Sequence, residues 1–444
     1  MHPQEKQQEL SQALDMVIDQ AIKAGADDVF ASSSFIDSSK INYEKNDFNS
    51  AGSHEGVGVS LTVHKDQKAG ATSINTLNPG KVAEAIDRAL TLAKYSVADE
   101  YLGLAGKSEY VDLLFPFDEA LDQISMGKMR ELSELLMGGL LSDKRISIDS
   151  ASIERSSGVR VIANSKGMRA FDRGSSLTWS MMGMGIDGDD ITSFDYISDF
   201  SYFLAKAPEK ILKSTETFKE KLINCLGAGQ GESYKGQVLL SPALVDELLI
   251  EPLIYHMLGA NIMDGKSKWE QSLHEKVAPE NLTIEDHPHD LTLRGCTPFS
   301  GEGVPTQEMT LVGNGVLQKH LDSVYTANRR GTKPTGNGGG PHCTYVKPGS
   351  KNLSSLRAMS DILLEPSRFS GNMDPVTGDF SGVAKGSQFY KKGEKVGPVK
   401  EMMISGNLFQ VLDEGLTLGE KCFSDGGCYL IPHILLDGVS VTSG

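Results

Sequence analysis

The sequence has few cysteines, no long apolar run and no excess of basic charge, and each absence excludes a class of protein. Its five cysteines are odd in number and contain no CxxC pair, which argues against a disulfide framework and against a zinc ribbon. No run of about 18 apolar residues is present, so no bilayer-spanning helix is predicted. The 43 basic and 59 acidic residues give a formal net charge of −16, which repels nucleic-acid phosphates and anionic membranes. We therefore expect a cytoplasmic protein that contacts neither nucleic acid nor a membrane directly.

The chain of 444 residues is long enough for two domains of roughly 150–250 residues each. The N-terminal segment lacks a signal-peptide pattern and has apolar residues at helical spacing. The rest of the first half mixes helical patterns with strand-like alternation, and a glycine-rich polar stretch follows near residue 227. Beyond it, short apolar runs alternate with Gly, Pro and Asn. We predict an α+β fold with an N-terminal domain of helices and antiparallel sheet (1–226) and a β-rich C-terminal domain (227–444).

One glycine-rich stretch, "GMGIDG" (183–188), fits the spacing of a dinucleotide-binding loop. Such a loop should open a helix whose N-terminus meets the pyrophosphate. Here two aspartates and a strand-like segment follow instead, so the pattern predicts a connection between strands.

The stretch "EPLIYHMLGANIMDG" (251–265) has the pattern of an apolar helix that carries His256, with Asn261 five residues later. Zinc peptidases place two histidines on a helix in this manner, with a glutamate between them as general base. Residues five apart on a regular helix point about 140° apart, so an HExxxH pair converges only at a helix end or a π-bulge, which Gly259 would ease. Met257 stands at the base position and cannot accept a proton, and the Asn261 carboxamide is a poor zinc ligand. The stretch is therefore either a disabled metal site or a core helix.

The second half also holds most of the histidines and cysteines of the chain. Neutral imidazole and thiolate are the usual zinc ligands, and distant segments can assemble one site. A metal site remains open among the following side chains: His256, His287, His289, Cys296, His342, Cys343, Cys422, Cys428 and His433.

Several longer stretches of the chain resemble the TldD/PmbA family, and the sequence is similar to its PmbA-type (TldE-type) members. The resemblance covers most of the chain. It is carried by "GVGVSLTV" (56–63), "VIANSKGMRA" (161–170), "LTIEDHPH" (282–289), "TPFSGEGV" (297–304), "NGVLQKHLDSVYTANRRGTKPTGNGGG" (314–340), "PVTGDFSGVAKG" (375–386) and "ISGNL" (404–408).

This resemblance implies a two-domain α+β fold and a heterodimeric peptide-cleaving assembly. In the family, the TldD-type subunit supplies HExxxH and a late cysteine as zinc ligands, and the PmbA-type subunit binds no metal. Mapped onto this chain, His256 matches the first ligand, Met257 the base, Asn261 the second ligand and Cys428 the cysteine. The resemblance thus implies a vestigial site or peptide cleft, no catalytic residue and no cofactor in this chain, and zinc only in a TldD-type partner.

The family is also named as a modulator of DNA gyrase, which we interpret as an indirect effect because of the acidic charge. The expected substrate is unfolded peptide, such as a leader segment, and the chain alone could form a homodimer. Two alternatives remain. One is a self-sufficient metallopeptidase with ligands such as His287, His289 and Cys428; the other is a protein-binding regulator without hydrolytic activity.

Overall fold

The first half of the computed structural model is a seven-stranded antiparallel sheet with helices on one face. The structure describes residues 3–111, 117–424 and 426–443. The helices of this half are α1 (Pro3–Lys23), α2 (Pro79–Tyr95), α3 (Glu119–Asp122), α4 (Met126–Leu140) and α5 (Ala207–Ile223). Its strands are β1 (Asp28–Glu44), β2 (Asp47–Lys65), β3 (Lys68–Ile74), β4 (Ile146–Asn164), β5 (Arg169–Asp187), β6 (Asp190–Ile191) and β7 (Asp195–Ser201).

The order of these strands is β3-β2-β1-β4-β5-β6, with β7 also paired to β5. The long strands β1, β2, β4 and β5 alternate between the two faces, as the period of two predicts. Helices α1 and α2 bury one apolar half of the sheet, and α4 and α5 bury the other half as a separate core. The "GMGIDG" stretch ends β5 and leads into β6, so its prediction as a strand connection is confirmed.

The second half is built on a thirteen-stranded mixed sheet. Its helices are α6 (Pro242–Val245), α7 (Glu251–Tyr255), α8 (Gly259–Met263), α9 (Val324–Arg330), α10 (Leu353–Arg357) and α11 (Leu408–Glu414). Its strands are β8 (Tyr234–Leu240), β9 (Ile284–Asp286), β10 (Met309–Gly313), β11 (Val316–Leu317), β12 (Thr344–Val346), β13 (Ile362–Glu365), β14 (Arg368–Met373), β15 (Asp379–Lys385), β16 (Ser387–Lys391), β17 (Glu394–Val399), β18 (Met402–Asn407), β19 (Leu416–Phe423) and β20 (Tyr429–Ser443).

The last strand, β20, organises this sheet because it pairs with β8, β12, β18 and β19. The largest core of the protein lies between this sheet and the helices α6, α7 and α11. The α+β fold class is therefore as predicted. Since α5 ends at Ile223 and β8 begins at Tyr234, we retain a domain boundary near residue 227 as a proposal.

Polar contacts join the two halves on one side of α9. Tyr325 Oη donates to Asp99 Oδ2 at 2.7 Å, and Asn328 Nδ2 donates to the Tyr101 carbonyl at 2.9 Å. Tyr110 Oη donates to the Gly303 carbonyl at 2.8 Å. Helix α9, which packs against the candidate site described below, is thus held by the first half of the chain as well.

Within the described ranges, the structure has no helix long and apolar enough to cross a membrane.

Candidate functional site

The stretch that carries His256 is not a continuous helix, contrary to the prediction from its apolar pattern. After α6 the chain makes a π-helical turn (Asp246–Ile250), continues as α7 and leaves the helix at His256. Leu258 is extended (φ −69°, ψ 124°), and α8 begins at Gly259. The π-turn thus lies before His256, and Gly259 begins α8 instead of easing a distortion within one helix.

The break between α7 and α8 is held by backbone pairing with a distant segment. Leu321 N donates to the Met257 carbonyl at 2.8 Å, and Gly259 N donates to the Leu321 carbonyl at 2.8 Å. A helix cannot satisfy these backbone groups at the break, so the strand-like partner does. Tertiary contacts of residue 321 therefore override the helical periodicity of the sequence.

Gly259 is needed because a buried carboxylate lies against its α-carbon. A Cβ atom at this position would lie 2.1 Å from Asp322 Oδ1 and 2.8 Å from Thr326 Oγ1. Both distances are below any normal contact, so α8 approaches α9 this closely only with glycine.

His256 is fully buried among aromatic rings. Its ring lies 5.4 Å from Phe409, 5.8 Å from Trp269 and 5.5 Å from Tyr255, measured between centroids. The Lys268 backbone N–H donates to Nδ1 at 3.1 Å. The neutral ring therefore carries its proton on Nε2. This atom is buried without a completed hydrogen bond in the part of the chain that the structure describes.

Burial lowers the pKa of His256 to about 4, while the Pro375 carbonyl acts in the opposite direction and the Lys268 cation adds to the lowering. The imidazole is thus neutral at physiological pH. Neither nitrogen offers a free lone pair, because Nδ1 accepts a hydrogen bond and Nε2 holds the proton.

The two other positions of the stretch do not converge with His256. Met257 is 0% exposed and belongs to the largest core, so the cleft hypothesis does not apply to its side chain. Asn261 Nδ2 donates to the Tyr255 carbonyl at 2.8 Å and so closes the turn between α7 and α8. Each side chain has a packing or backbone-binding role in this structure.

A buried ionic network stands beside this stretch, and the sequence reasoning missed it. Arg330 donates from Nη1 to both carboxylate oxygens of Asp322 at 2.8 and 2.9 Å and from Nη2 to His320 Nδ1 at 2.8 Å. His320 Nε2 donates in turn to the carbonyl of Trp269, the residue that packs on His256. Thr332 Oγ1 completes the set with a 2.8 Å bond to Asp322 Oδ2. All members except Trp269 lie in the block 314–340, which was noted for its resemblance but not for its charges.

Cys428 lies in another cluster. The residue as a whole is exposed, but desolvation of its thiol raises the pKa, while the Arg294 cation lowers it and the Asp246 carboxylate adds to the rise. It also acts electrostatically on Cys296 and Cys343. Desolvation raises the pKa of all three thiols, so each is protonated at physiological pH in this structure. Within the described residues, none of the contacts made by His256 involves Cys428.

The alternative ligands His287 and His289 bind separate partners. His287 Nε2 is 2.9 Å from Glu285 Oε2, and its ring stacks on Tyr345 with centroids 4.9 Å apart. His289 Nε2 is 3.1 Å from Thr306 Oγ1. Over residues 3–111, 117–424 and 426–443, no group of three or more His, Cys, Asp or Glu side chains is placed to hold a metal ion.

The residues at the positions matched to a zinc site therefore do not fit a zinc ion. A zinc ligand must present a lone pair, and the His256 ring has none free. Its neighbours are a core methionine and an asparagine committed to a backbone carbonyl. No hydrolytic step can be assigned to these side chains.

The buried, neutral state of His256 predicts acid sensitivity of the fold. Its pKa is about 4 in the folded protein against 6.5 in the unfolded chain, so the unfolded state binds more protons between these values. Stability from this residue is complete above pH 6.5 and decreases as the pH falls to about 4, by up to about 3 kcal/mol. Urea unfolding at pH 7.5, 6 and 5 should show a steeper loss for the wild type than for His256→Gln. Equal slopes would contradict the buried neutral ring.

Comparison with known proteins identifies relatives over most of the chain. Residues 233–443 match the model of the PmbA/TldA metallopeptidase C-terminal domain, and residues 33–93 match PmbA/TldA metallopeptidase domain 1. The metalloprotease PmbA homolog of Haemophilus influenzae is 28% identical over 94% of this chain and 92% of its own length. Metalloprotease PmbA of Escherichia coli O157:H7 is 26% identical over 89% of this chain and 88% of its own.

Solved structures agree with this placement at the level of the fold. The crystal structure of TldE from Thermococcus kodakarensis superposes with a TM-score of 0.84 at 21% identity and covers 97% of this chain and 100% of its own. The crystal structure of a candidate modulator of DNA gyrase from Bacteroides thetaiotaomicron superposes with a TM-score of 0.87 at 22% identity. It covers 98% of this chain and 99% of its own. Both family domains match, the relatives align over most of their length, and the fold is shared. These findings show that this chain belongs to the PmbA/TldD metallopeptidase family.

Proposed function

We propose that this chain is a PmbA/TldE-type subunit that binds no metal and acts in a heterodimeric metallopeptidase. Its partner is a TldD-type subunit that carries HExxxH and the zinc ion, and the assembly cleaves unfolded peptides during their maturation or degradation. The proposal assigns no catalytic residue and no cofactor to this chain.

The observation that carries the proposal is the state of the His256 ring. One nitrogen accepts a hydrogen bond from Lys268 and the other holds a proton among aromatic rings. Against the HExxxH pattern of TldD-type subunits, the base position of this chain holds Met257 and the second-ligand position holds Asn261. A chain that retains the fold but replaces the base and a ligand is suited to support a catalytic partner.

The net charge argues against direct contact with DNA. The net charge is −16, and a DNA-binding protein uses basic side chains to displace counterions from phosphates. In this proposal the gyrase-related name of a structural relative reflects an indirect effect.

Metal content tests the proposal. The purified, tag-free chain, offered zinc during preparation, should contain less than about a tenth of an equivalent by plasma mass spectrometry, because a zinc ion needs about three protein ligands. A TldD-type subunit prepared in parallel is the matched control and should contain about one equivalent.

Close to one equivalent of zinc in this chain would overturn the proposal. Ala substitutions at His287 and His289, separately from His256→Ala, would then show which ligands hold the ion.

A further inference from the structure

The first half of β2 is an open sheet edge. Residues 47–58 pair on one side with β1, whereas β3 pairs only with residues 59–65 of β2. Residues 47–55 are all exposed, and no other described strand pairs with the outer side of this segment. Alternate N–H and C=O groups of an edge strand point outward and can accept a further strand.

This edge has the inward-facing Glu55 and a register shift near its turn, but it lacks the basic side chains and proline that also protect edge strands against strand addition. Its sequence, "DFNSAGSHEGVG" (47–58), contains no lysine, arginine or proline. The register shift in the β1–β2 pair lies beside the hairpin turn, at Asn42 and Tyr43, and the pairing is regular from there to the end of the open segment. The edge is therefore regularly paired on its inner side and accessible on its outer side over about ten residues.

A cavity of about 210 Å³ borders the same edge. It lies between the two groups of helices on the covered face of the sheet, and its lining includes Lys6 of α1, Asp122 of α3 and the sheet residues Phe35, Asp37, Glu55 and Ser157. Pockets for drug-sized ligands are larger, roughly 300–1,000 Å³. The volume suits a single long side chain better than a separate small molecule.

The charge that faces the edge in this cavity is negative. Arg155 is bridged to Asp37 at 2.7 Å and to Asp122 at 3.5 Å, and Lys6 pairs with Glu9 at 2.9 Å. These pairs neutralise the two cations. Glu55, on the edge strand itself, has no ion-pair partner among the described residues.

We propose that the β2 edge binds an extended peptide as an additional strand and that a lysine or arginine of this peptide occupies the cavity beside Glu55. A residue opposite Glu55 on an added strand points to the same face of the sheet, with Cβ atoms about 4.5–5.5 Å apart. Its side chain therefore enters the cavity beside the unpaired carboxylate. Backbone pairing supplies affinity, and this one position supplies preference for a cation.

The test is fluorescence anisotropy with labelled peptides of about nine residues, alternating threonine and serine, with arginine at the centre. The arginine peptide should bind, and a glutamate peptide of otherwise identical sequence should bind at least about tenfold more weakly. Glu55→Gln should weaken the arginine peptide about three- to fivefold, as expected for one partly exposed ion pair. The matched variant Glu84→Gln, on α2 and paired with Lys81, should leave binding unchanged.

A fully N-methylated arginine peptide separates strand addition from simple charge attraction, because it keeps the cation but loses every backbone donor. It should not bind measurably. Equal binding of the methylated and unmethylated peptides, equal binding of the arginine and glutamate peptides, or binding of neither would overturn the proposal. If sedimentation shows a dimer that must dissociate before the peptide binds, then a second copy of this chain occupies the β2 edge. That result would also overturn the proposal. None of these outcomes depends on metal content, so this test and that of the proposed function fail independently.

Discussion

Gly259→Ala is expected to destabilise the protein by about 3 kcal/mol, although it adds a single methyl group. The new Cβ would lie 2.1 Å from Asp322 Oδ1, so either α8 or the buried carboxylate must move. Overpacking of this kind costs about 1–3 kcal/mol, and disturbance of the Asp322–Arg330 ion pair adds to it. The change is measured as a shift of the urea unfolding midpoint at pH 7.5.

Gly138→Ala is the matched control. Gly138 lies inside α4, and nothing lies within 4 Å of a Cβ built there. Alanine favours a helix over glycine, so this variant should be unchanged or more stable by up to about 1 kcal/mol. Similar unfolding curves for the two variants would show that α8 and α9 do not approach each other as described.

Met257→Glu, which restores the general base of the HExxxH pattern, is expected to cost about 3 kcal/mol or more and to create no metal site. The side chain is 0% exposed and packs in the largest core, where a carboxylate finds no partner. The double substitution Met257→Glu with Asn261→His should also bind less than about a tenth of an equivalent of zinc, because the Nδ1 atom of His256 stays bonded to Lys268.

Met257→Leu is the control for this position, since a volume-conserving apolar exchange usually costs less than about 1.5 kcal/mol. If the double variant is as stable as the wild type and holds about one zinc ion, then position 257 faces a functional pocket and its assignment to the core is wrong.

The sequence predicts the fold class well because its periodic signals are long. The strands β4 and β5 are 19 residues long and alternate over most of their length, and α2 has Asn78 as a side-chain cap on Gly80 and Lys81. Such local patterns determine elements without reference to the rest of the chain. The division into two halves also coincides with a change in composition, although the boundary near residue 227 stays a prediction.

The candidate site could be located but not described from the sequence. Its position follows from His256, but the end of the helix at this residue depends on backbone bonds to Leu321, 65 positions away in the numbering. The role of Gly259 also depends on a distant residue, because its missing Cβ lets Asp322 approach closely and does not serve to distort a helix. Contacts between distant segments leave no periodic signal. Asp322 and Arg330 lie only eight positions apart, but no sequence pattern shows that they pair and connect through His320 to Trp269, so the network was missed.

The most direct test of the proposed role is peptide cleavage by an equimolar mixture of this chain with a TldD-type, HExxxH-bearing subunit. Unfolded peptides are offered to the mixture and to each protein alone, with and without a zinc chelator. We expect cleavage by the mixture, loss of cleavage with the chelator, and none by this chain alone. Chelator-sensitive cleavage by this chain alone, or no gain over the partner alone on mixing, would contradict its role as a supporting subunit without metal.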